Sequence, residues 1–251
     1  MCTPHCGNYG RAVDPTILPA LNENSNSQAS PTIVTGKACD QRLDYLFTHP
    51  DAVICYYTSN MILCIISDAV YVILPNARSR CATLYTLTDL PTTTPPNPKA
   101  NGPVHVLCVT MRSVPASASE AKTGGLFNAG QEAVPIITAL QETGHPQPPT
   151  GTPMETDNST AYGILTANVR MKHSKAFDVR YHWIKDRIAQ NQFNLYWAKG
   201  QLNRADYFTK HHLPSHHKLM RYEYLQRPQS NMVMPHMRGC ISPFGLSKLF
   251  P

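Results

Sequence analysis

The chain has 251 residues, 42% of them hydrophobic and 15% charged, with 22 prolines and a formal net charge of +6. That composition suits one core of about 150 residues with long irregular ends. No run of about 20 apolar residues occurs, so no membrane span is expected. The opening Met1-Cys2-Thr3-Pro4-His5-Cys6 lacks the apolar centre of a signal peptide.

Residues 1–35 carry little periodic pattern, and Asn22-Glu23-Asn24-Ser25-Asn26-Ser27-Gln28 reads as linker. Thr35 to Thr48 is expected as a helix, with Ala38, Leu43 and Leu46-Phe47 on one side, stopped by His49-Pro50-Asp51. Strands follow. Ala52 to Tyr57 is a short apolar run, and Met61 to Ile73 is the strongest strand pattern in the chain, rich in β-branched residues. Asp68 interrupts it. A carboxylate within such a run either faces water on an edge strand or has a partner, because burying it alone is costly. Arg80 to Thr88 and Pro103 to Val114 complete three strands that read as an antiparallel meander. The Pro-rich stretch Pro91 to Pro98 between the last two cannot enter a sheet.

Ser117-Ala118-Ser119-Glu120 has the form of a capping box. It starts a helix toward Gly144 whose core face is expected to be Leu126, Phe127, Val134, Ile137 and Leu140. Gly124 and Gly125 should each cost this helix about 1 kcal/mol relative to alanine, and Pro135 is expected to kink or split it. Met154 to Ala161 reads as a strand that delivers Asp157 to its end, with a helix starting at once behind a Ser159 or Thr160 cap. Ser174 to Gln190 is expected as a basic amphipathic helix with Phe177, Tyr181, Ile184 and Ile188 on one face. Phe193 to Trp197 alternates as a strand, and Asn203 to Lys210 starts a last helix.

Eight cysteines, at 2, 6, 39, 55, 64, 81, 108 and 240, form no CxxC pair. Several sit inside apolar runs and read as reduced thiols, which points to an intracellular location, cytoplasmic or nuclear. From Arg170 to Arg221 there are eleven Lys and Arg against three Asp, a balance of +8 that leaves −2 elsewhere. A basic C-terminal third beside a carboxylate-bearing core suits a polyanion. The His211-His212 and His216-His217 pairs read as a basic or solvated end rather than a zinc site.

Taken together, Ser67-Asp68-Ala69-Val70-Tyr71, Ser117-Ala118-Ser119-Glu120-Ala121-Lys122, Thr156-Asp157-Asn158-Ser159-Thr160-Ala161, His173-Ser174-Lys175 with Asp178 and Arg180, and Ala205-Asp206-Tyr207-Phe208-Thr209-Lys210 resemble the ribonuclease H domain of a copia-type LTR retrotransposon Pol polyprotein. The resemblance runs from about Leu43 to His217, and Tyr9 to Leu21 resembles the end of a reverse transcriptase region, without its Y-x-D-D motif. It implies an α/β, ribonuclease H-like fold: a mixed five-stranded sheet, three antiparallel strands and then parallel ones, flanked by helices. The implied division is an irregular remnant over 1–35, the ribonuclease H-like domain over 36–217 and a loosely ordered tail over 218–251.

The resemblance also implies a chemistry: hydrolysis of the RNA strand of an RNA–DNA hybrid with two Mg2+ ions about 4 Å apart. Asp68 would bridge both ions, with Asp157 on one and Asp206 on the other. Asn158, Lys172, Lys175, Arg180, Lys199 and Lys210 would meet the nucleic acid, the basic side chains at phosphates, without reading sequence. The partners implied are the hybrid and any remainder of the polyprotein, with neither a membrane nor a small-molecule substrate.

The pattern departs from the family at one place. The family's second acidic residue in the S-S-x-E-A-E segment ligates metal, and here that position is Lys122. Glu120 lies two residues away, about 200° around the helix, so it does not share that face. An ammonium there removes a ligand and is positioned to pair with Asp68 and Asp157. The expectation is therefore an impaired ribonuclease H-type hydrolase, with a catalytically dead hybrid-binding module or a decayed element remnant as the alternative.

Overall fold

The computed structural model describes residues 3–93, 95–96, 98–99, 101–166 and 179–226. The chain divides into two compact units, one of residues 58–210 and one of residues 1–57 with 211–251.

The 58–210 unit is built on a five-stranded sheet. Strand β1 spans Ile62–Leu74, β2 Arg78–Thr88, β3 Pro103–Thr110, β4 Thr152–Thr156 and β5 Phe193–Trp197. Their order across the sheet is β3-β2-β1-β4-β5. β1 and β2 pair antiparallel, as do β2 and β3, whereas β4 runs parallel to both β1 and β5. This is the ribonuclease H-like arrangement implied by the resemblance. The first eight residues of β1 are all buried. They carry apolar side chains toward both faces, as a central strand must.

One face is covered by helix α4 (Ala118–Glu142), α5 (Ser159–Leu165) and α6 (Val179–Ala189). Leu63, Ile65, Tyr85, Met154, Phe193 and Leu195 of the sheet pack there against Leu126, Ala129, Ile137, Leu165 and Ile184 of the helices. Phe127 of the expected core face lies at its rim, edge-on to Trp183 with ring centroids 5.4 Å apart. Phe177 lies outside the described residues.

The structure bears on two expectations about α4. Pro135 neither splits nor ends the helix, which runs on to Glu142. Both Pro135 and Gln131 one turn earlier are exposed, so the turn that loses a hydrogen bond lies on the solvent side of the helix. Gly124 and Gly125 are also more than a propensity cost. A Cβ on Gly124 would stand 2.5 Å from the Met111 side chain, and one on Gly125 would stand 3.2 Å from Ala69 Cβ. Gly125 lets the helix approach β1 at the level of Asp68, and Gly124 leaves room for Met111 just past β3.

Further differences are local. The Ala52–Tyr57 run forms only a single bridge, at Ile54. The cap of α5 is Asn158 rather than Ser159 or Thr160. Its backbone is extended and its Oδ1 accepts the Ala161 N–H at 2.7 Å. The last helix expected from Asn203 is reduced to α7, Asp206–Thr209, behind a 3-10 turn at Gly200–Leu202.

The other unit is helical where the sequence reads as irregular. It comprises α1 (Thr3–Ala12), α2 (Leu18–Asn26), α3 (Ile33–Thr48) and α8 (Pro214–Tyr224). α3 closely matches its expected span, with Thr32 and Thr35 forming a reciprocal cap. Asp14 is fully buried and pairs with Arg221 at 3.4 Å. The Arg221 guanidinium lies 5.6 Å from the Tyr45 ring centre. Burial, with Asp14 nearby, pushes the Tyr45 hydroxyl up to about 12.

No described helix is long and apolar enough to cross a membrane. Among the described residues Cys39, Cys55, Cys64, Cys81 and Cys108 are free thiols. Burial raises the Cys64 thiol to about 12 and Cys81 to about 11, so both stay protonated at neutral pH.

Candidate functional site

Two parallel strands bring the first two carboxylates together. Ile66 of β1 stands opposite Glu155 of β4. Two residues further along each chain come Asp68 and Asp157, so the register sets them level. Asp68 is inside β1 and its side chain is fully buried, whereas Asp157 lies just past the end of β4 with its side chain 17% exposed. The Asp157 carbonyl accepts the Trp197 indole N–H at 3.0 Å. Gly200 also closes on this residue, because a Cβ there would meet Asp157 Oδ2 at 3.1 Å.

Helix α4 supplies the third member. Ser117 caps it, accepting the Glu120 N–H at 3.2 Å. Glu120 turns back along its own chain and accepts the Ala116 N–H at 2.7 Å. That satisfies one of the orphan donors ahead of the helix, one residue earlier than a strict capping box would. Two residues on, Lys122 points the other way, as its position around the helix requires. Its Nζ donates to Asp68 Oδ1, and to Asp157 Oδ1 at 2.6 Å. The lysine side chain is 14% exposed. Burial pushes its ammonium toward release of the proton, but Asp68 and Asp157 outweigh that and hold its pKa above the ordinary 10.5.

α7 and the turn before it complete the surroundings. Thr209 Oγ1 donates to Asp68 Oδ2, so both Asp68 oxygens are engaged. Asn203 Nδ2 donates to the Ser67 carbonyl at 3.0 Å and Asn203 Oδ1 accepts the Ala205 N–H at 2.9 Å, which ties this segment to β1 next to Asp68. Asp206, expected as the third ligand, pairs instead with Lys210 of its own turn at 2.6 Å.

The residues present do not fit the two-metal centre that the resemblance implies. The position for the glutamate ligand carries a cation, that cation bonds two of the three aspartates, and the third has a lysine of its own. Among the described residues no group of three or more His, Cys, Asp or Glu side chains is placed to hold a metal ion.

Of the residues expected to meet nucleic acid, Lys172 and Lys175 lie outside the described residues. Lys199 is exposed at the start of the Gly200–Leu202 turn. Arg180 is half-buried in the first turn of α6. Lys210 is half-exposed and engaged by Asp206, and the Asn158 amide oxygen is engaged as a helix cap. Arg187, in the last turn of α6, lies 5.3 Å from the Trp183 ring centre.

Sequence reasoning missed two groups here. Thr209 falls inside the Ala205 to Lys210 segment, and its hydroxyl is the only hint of a donor for a buried carboxylate. Glu155 gave less warning, because it lies in a five-residue strand where every position is buried. Its Oε2 accepts the Tyr196 O–H at 3.1 Å, and its Oε1 has no hydrogen-bond partner among the described residues. Burial raises the Glu155 pKa, with Tyr196 pulling it partly back.

No family model matches the chain, and no curated protein matches it. Solved structures similar to it are ribonuclease H domains. One is the N-terminal RNase H domain of a Mycobacterium tuberculosis protein fused to maltose-binding protein, at 12% identity over 61% of this chain and 91% of that one, with a TM-score of 0.39. Another is an RNase H1 isolated from compost, at 10% identity over 59% of this chain and 92% of that one, TM-score 0.42. The same compost enzyme in complex with an RNA/DNA hybrid matches at 12% identity over 57% and 91%, TM-score 0.38.

Proposed function

We propose that this chain is a ribonuclease H-type domain of a copia-type retrotransposon Pol polyprotein that binds RNA–DNA hybrid without hydrolysing it. The observation that carries the second half is the placement of Lys122 Nζ on both Asp68 and Asp157. A hydrolytic centre of this kind needs carboxylates open to a reacting phosphate and its counter-ions. Here both Asp68 oxygens are occupied, by Lys122 and Thr209. The motifs around Asp68, Asp157 and Asp206 support the ancestry. The +8 balance of residues 170–221 supports retained attraction to a polyanion. On this reading Lys199 and Arg180 meet phosphates, joined by Lys172 and Lys175.

The test is cleavage and binding of one end-labelled hybrid, with the native chain and its Lys122→Glu variant side by side in Mg2+. The expected result is salt-dependent binding by both and cleavage by the variant alone. Cleavage by the native chain, lost in Asp68→Asn, overturns the inactive reading. Absence of binding by a folded native chain overturns the hybrid-binding reading and leaves a remnant with a preserved fold.

A further inference from the structure

We infer that Lys122 is the resident cation of the Asp68–Asp157 site, so that the native chain folds without divalent metal and does not admit one there. This rests on the assignment of Asp68 and Asp157 to the site in the reading above, but not on hybrid binding.

Three features of the site carry it. First, the charge is already balanced in the way a cation would balance it. Two carboxylates set level by adjoining parallel strands would repel each other in a mostly buried position. The ammonium touches one oxygen of each. Asp206, the next carboxylate in the expected set, has its own ammonium in Lys210 at 2.6 Å. Three carboxylates thus share two ammoniums, and the residual charge of −1 is half what Asp68 and Asp157 alone would present.

Second, three of the four carboxylate oxygens of Asp68 and Asp157 already accept a bond. A hard divalent cation such as Mg2+ takes about six oxygen ligands and keeps several as water. Asp68 has no uncommitted oxygen, because Thr209 holds Oδ2. Asp157 Oδ2 lies against Gly200. Glu120, two residues before Lys122 on α4, is turned to the Ala116 N–H at 2.7 Å.

Third, the ammonium is tethered. Lys122 sits in the second turn of a helix that approaches β1 closely at Gly125. A free dication competes with a group that is delivered by the fold itself, at high effective concentration. Displacing the ammonium from its carboxylates would also strand it in a position only 14% exposed.

The experiment is thermal unfolding of the full chain in excess chelator and in rising Mg2+ and Mn2+, followed by Mn2+ binding measured by electron paramagnetic resonance. For the native chain the melting temperature is expected to be the same in chelator and in Mg2+, with no Mn2+ whose binding depends on Asp157. For Lys122→Met, which keeps the length and removes the charge, melting is expected to fall in chelator. It should recover by about 5 to 10 °C at ~100 times the dissociation constant of the added ion. A saturable rise for the native chain that is lost in Asp157→Asn overturns the inference. So does a folded Lys122→Met variant indifferent to every dication. Should that variant fail to fold in chelator, folding it in Mn2+ is the decisive arm: recovery supports the inference, and failure there with a metal-responsive native chain overturns it. Hybrid is absent throughout, so a failure of hybrid binding leaves these outcomes untouched.

Discussion

Lys122 Nζ stands 2.6 Å from Asp157 Oδ1 while also bonding Asp68 Oδ1, so one cation ties α4 to two adjoining parallel strands. Removing one member of a mostly buried ion pair leaves the other charges uncompensated. Lys122→Met in chelator is therefore expected to cost about 3 kcal/mol. Urea unfolding monitored by tryptophan fluorescence measures this. The double variant Lys122→Met with Asp68→Asn should be more stable than Lys122→Met alone, because it removes one of the two stranded carboxylates. If the double variant is the less stable, repulsion within the pair is not the cause.

The same contact sets a pH dependence. The folded chain raises the Lys122 pKa above 10.5, so the folded state holds that proton more tightly than the unfolded state does. The stabilisation is fully present below 10.5 and is lost as pH rises through the higher folded value. Unfolding free energy followed into alkali should fall more steeply for the native chain than for Lys122→Met. Equal slopes would show that Lys122 does not contribute.

Glu155 works in the opposite sense at neutral pH. Burial raises its pKa above 4.5 in the folded chain. A raised folded value means stability that is present below 4.5 and declines as pH climbs through the folded value. At neutral pH the buried carboxylate is a cost, relieved in part by the Tyr196 O–H at 3.1 Å and by the charge of Arg204. Glu155→Gln keeps the shape and removes the charge. It is expected to stabilise the chain by on the order of 1 kcal/mol at neutral pH and to have little effect at low pH. A variant destabilised at neutral pH but not at low pH would show that the carboxylate has a partner worth more than its desolvation.

Lys199 is the cleanest of the expected phosphate contacts to test, being exposed and outside the Lys122 network. Lys199→Ala should weaken hybrid binding regardless of sequence and reduce the slope of log affinity against log salt by about 1. Lys210→Ala should do less, because Asp206 already engages its ammonium. The reverse order would place the interface around α7 instead.

Most of the fold is legible in the sequence because its signals are local. β1 announces itself by a long run rich in β-branched residues, interrupted at Asp68, and α4 by its Ser117 cap and long apolar face. The charge reversal at Lys122 is legible too, since residue identity alone puts an ammonium where an acid would sit. What escapes is tertiary. Gly124 and Gly125 look like weak points in a helix until their approach to Met111 and Ala69 is seen. Pro135 breaks helices on average and is tolerated here only because its face is solvent. Asn158 has the right chemistry for a cap, but so do Ser159 and Thr160 beside it, and only the backbone at 158 decides among them. The helices over 3–26 lack a strong periodic stripe, and burial of Leu18, Leu21 and Asp14, not pattern, marks their packing.

Gly151 shows how a single backbone position holds β4 in place beside β5. It immediately precedes β4 and adopts φ +98, a conformation open mainly to glycine. A Cβ there would stand 2.8 Å from the Phe193 carbonyl carbon, 2.9 Å from the Asn191 oxygen and 2.9 Å from the Asn194 nitrogen. All three are main-chain atoms, two at the start of β5 and one in the turn before it, so no side chain can swing aside. Relief requires moving one strand against the other, which disturbs the pairing of Thr152 with Phe193 and, through β4, the level of Asp157. Gly151→Ala is expected to cost at least about 2 kcal/mol, and to lower the melting temperature by about 4 to 8 °C. Gly144 provides the control. It has a similar φ of +88, but a methyl group there would meet nothing within 4 Å among the described residues, so Gly144→Ala bears only the conformational strain, about 1 kcal/mol. Equal melting temperatures for the two variants would mean that φ alone sets the cost and that β5 gives way freely. A larger loss at Gly151 ties the placement of Asp157 to the backbone contact beneath it.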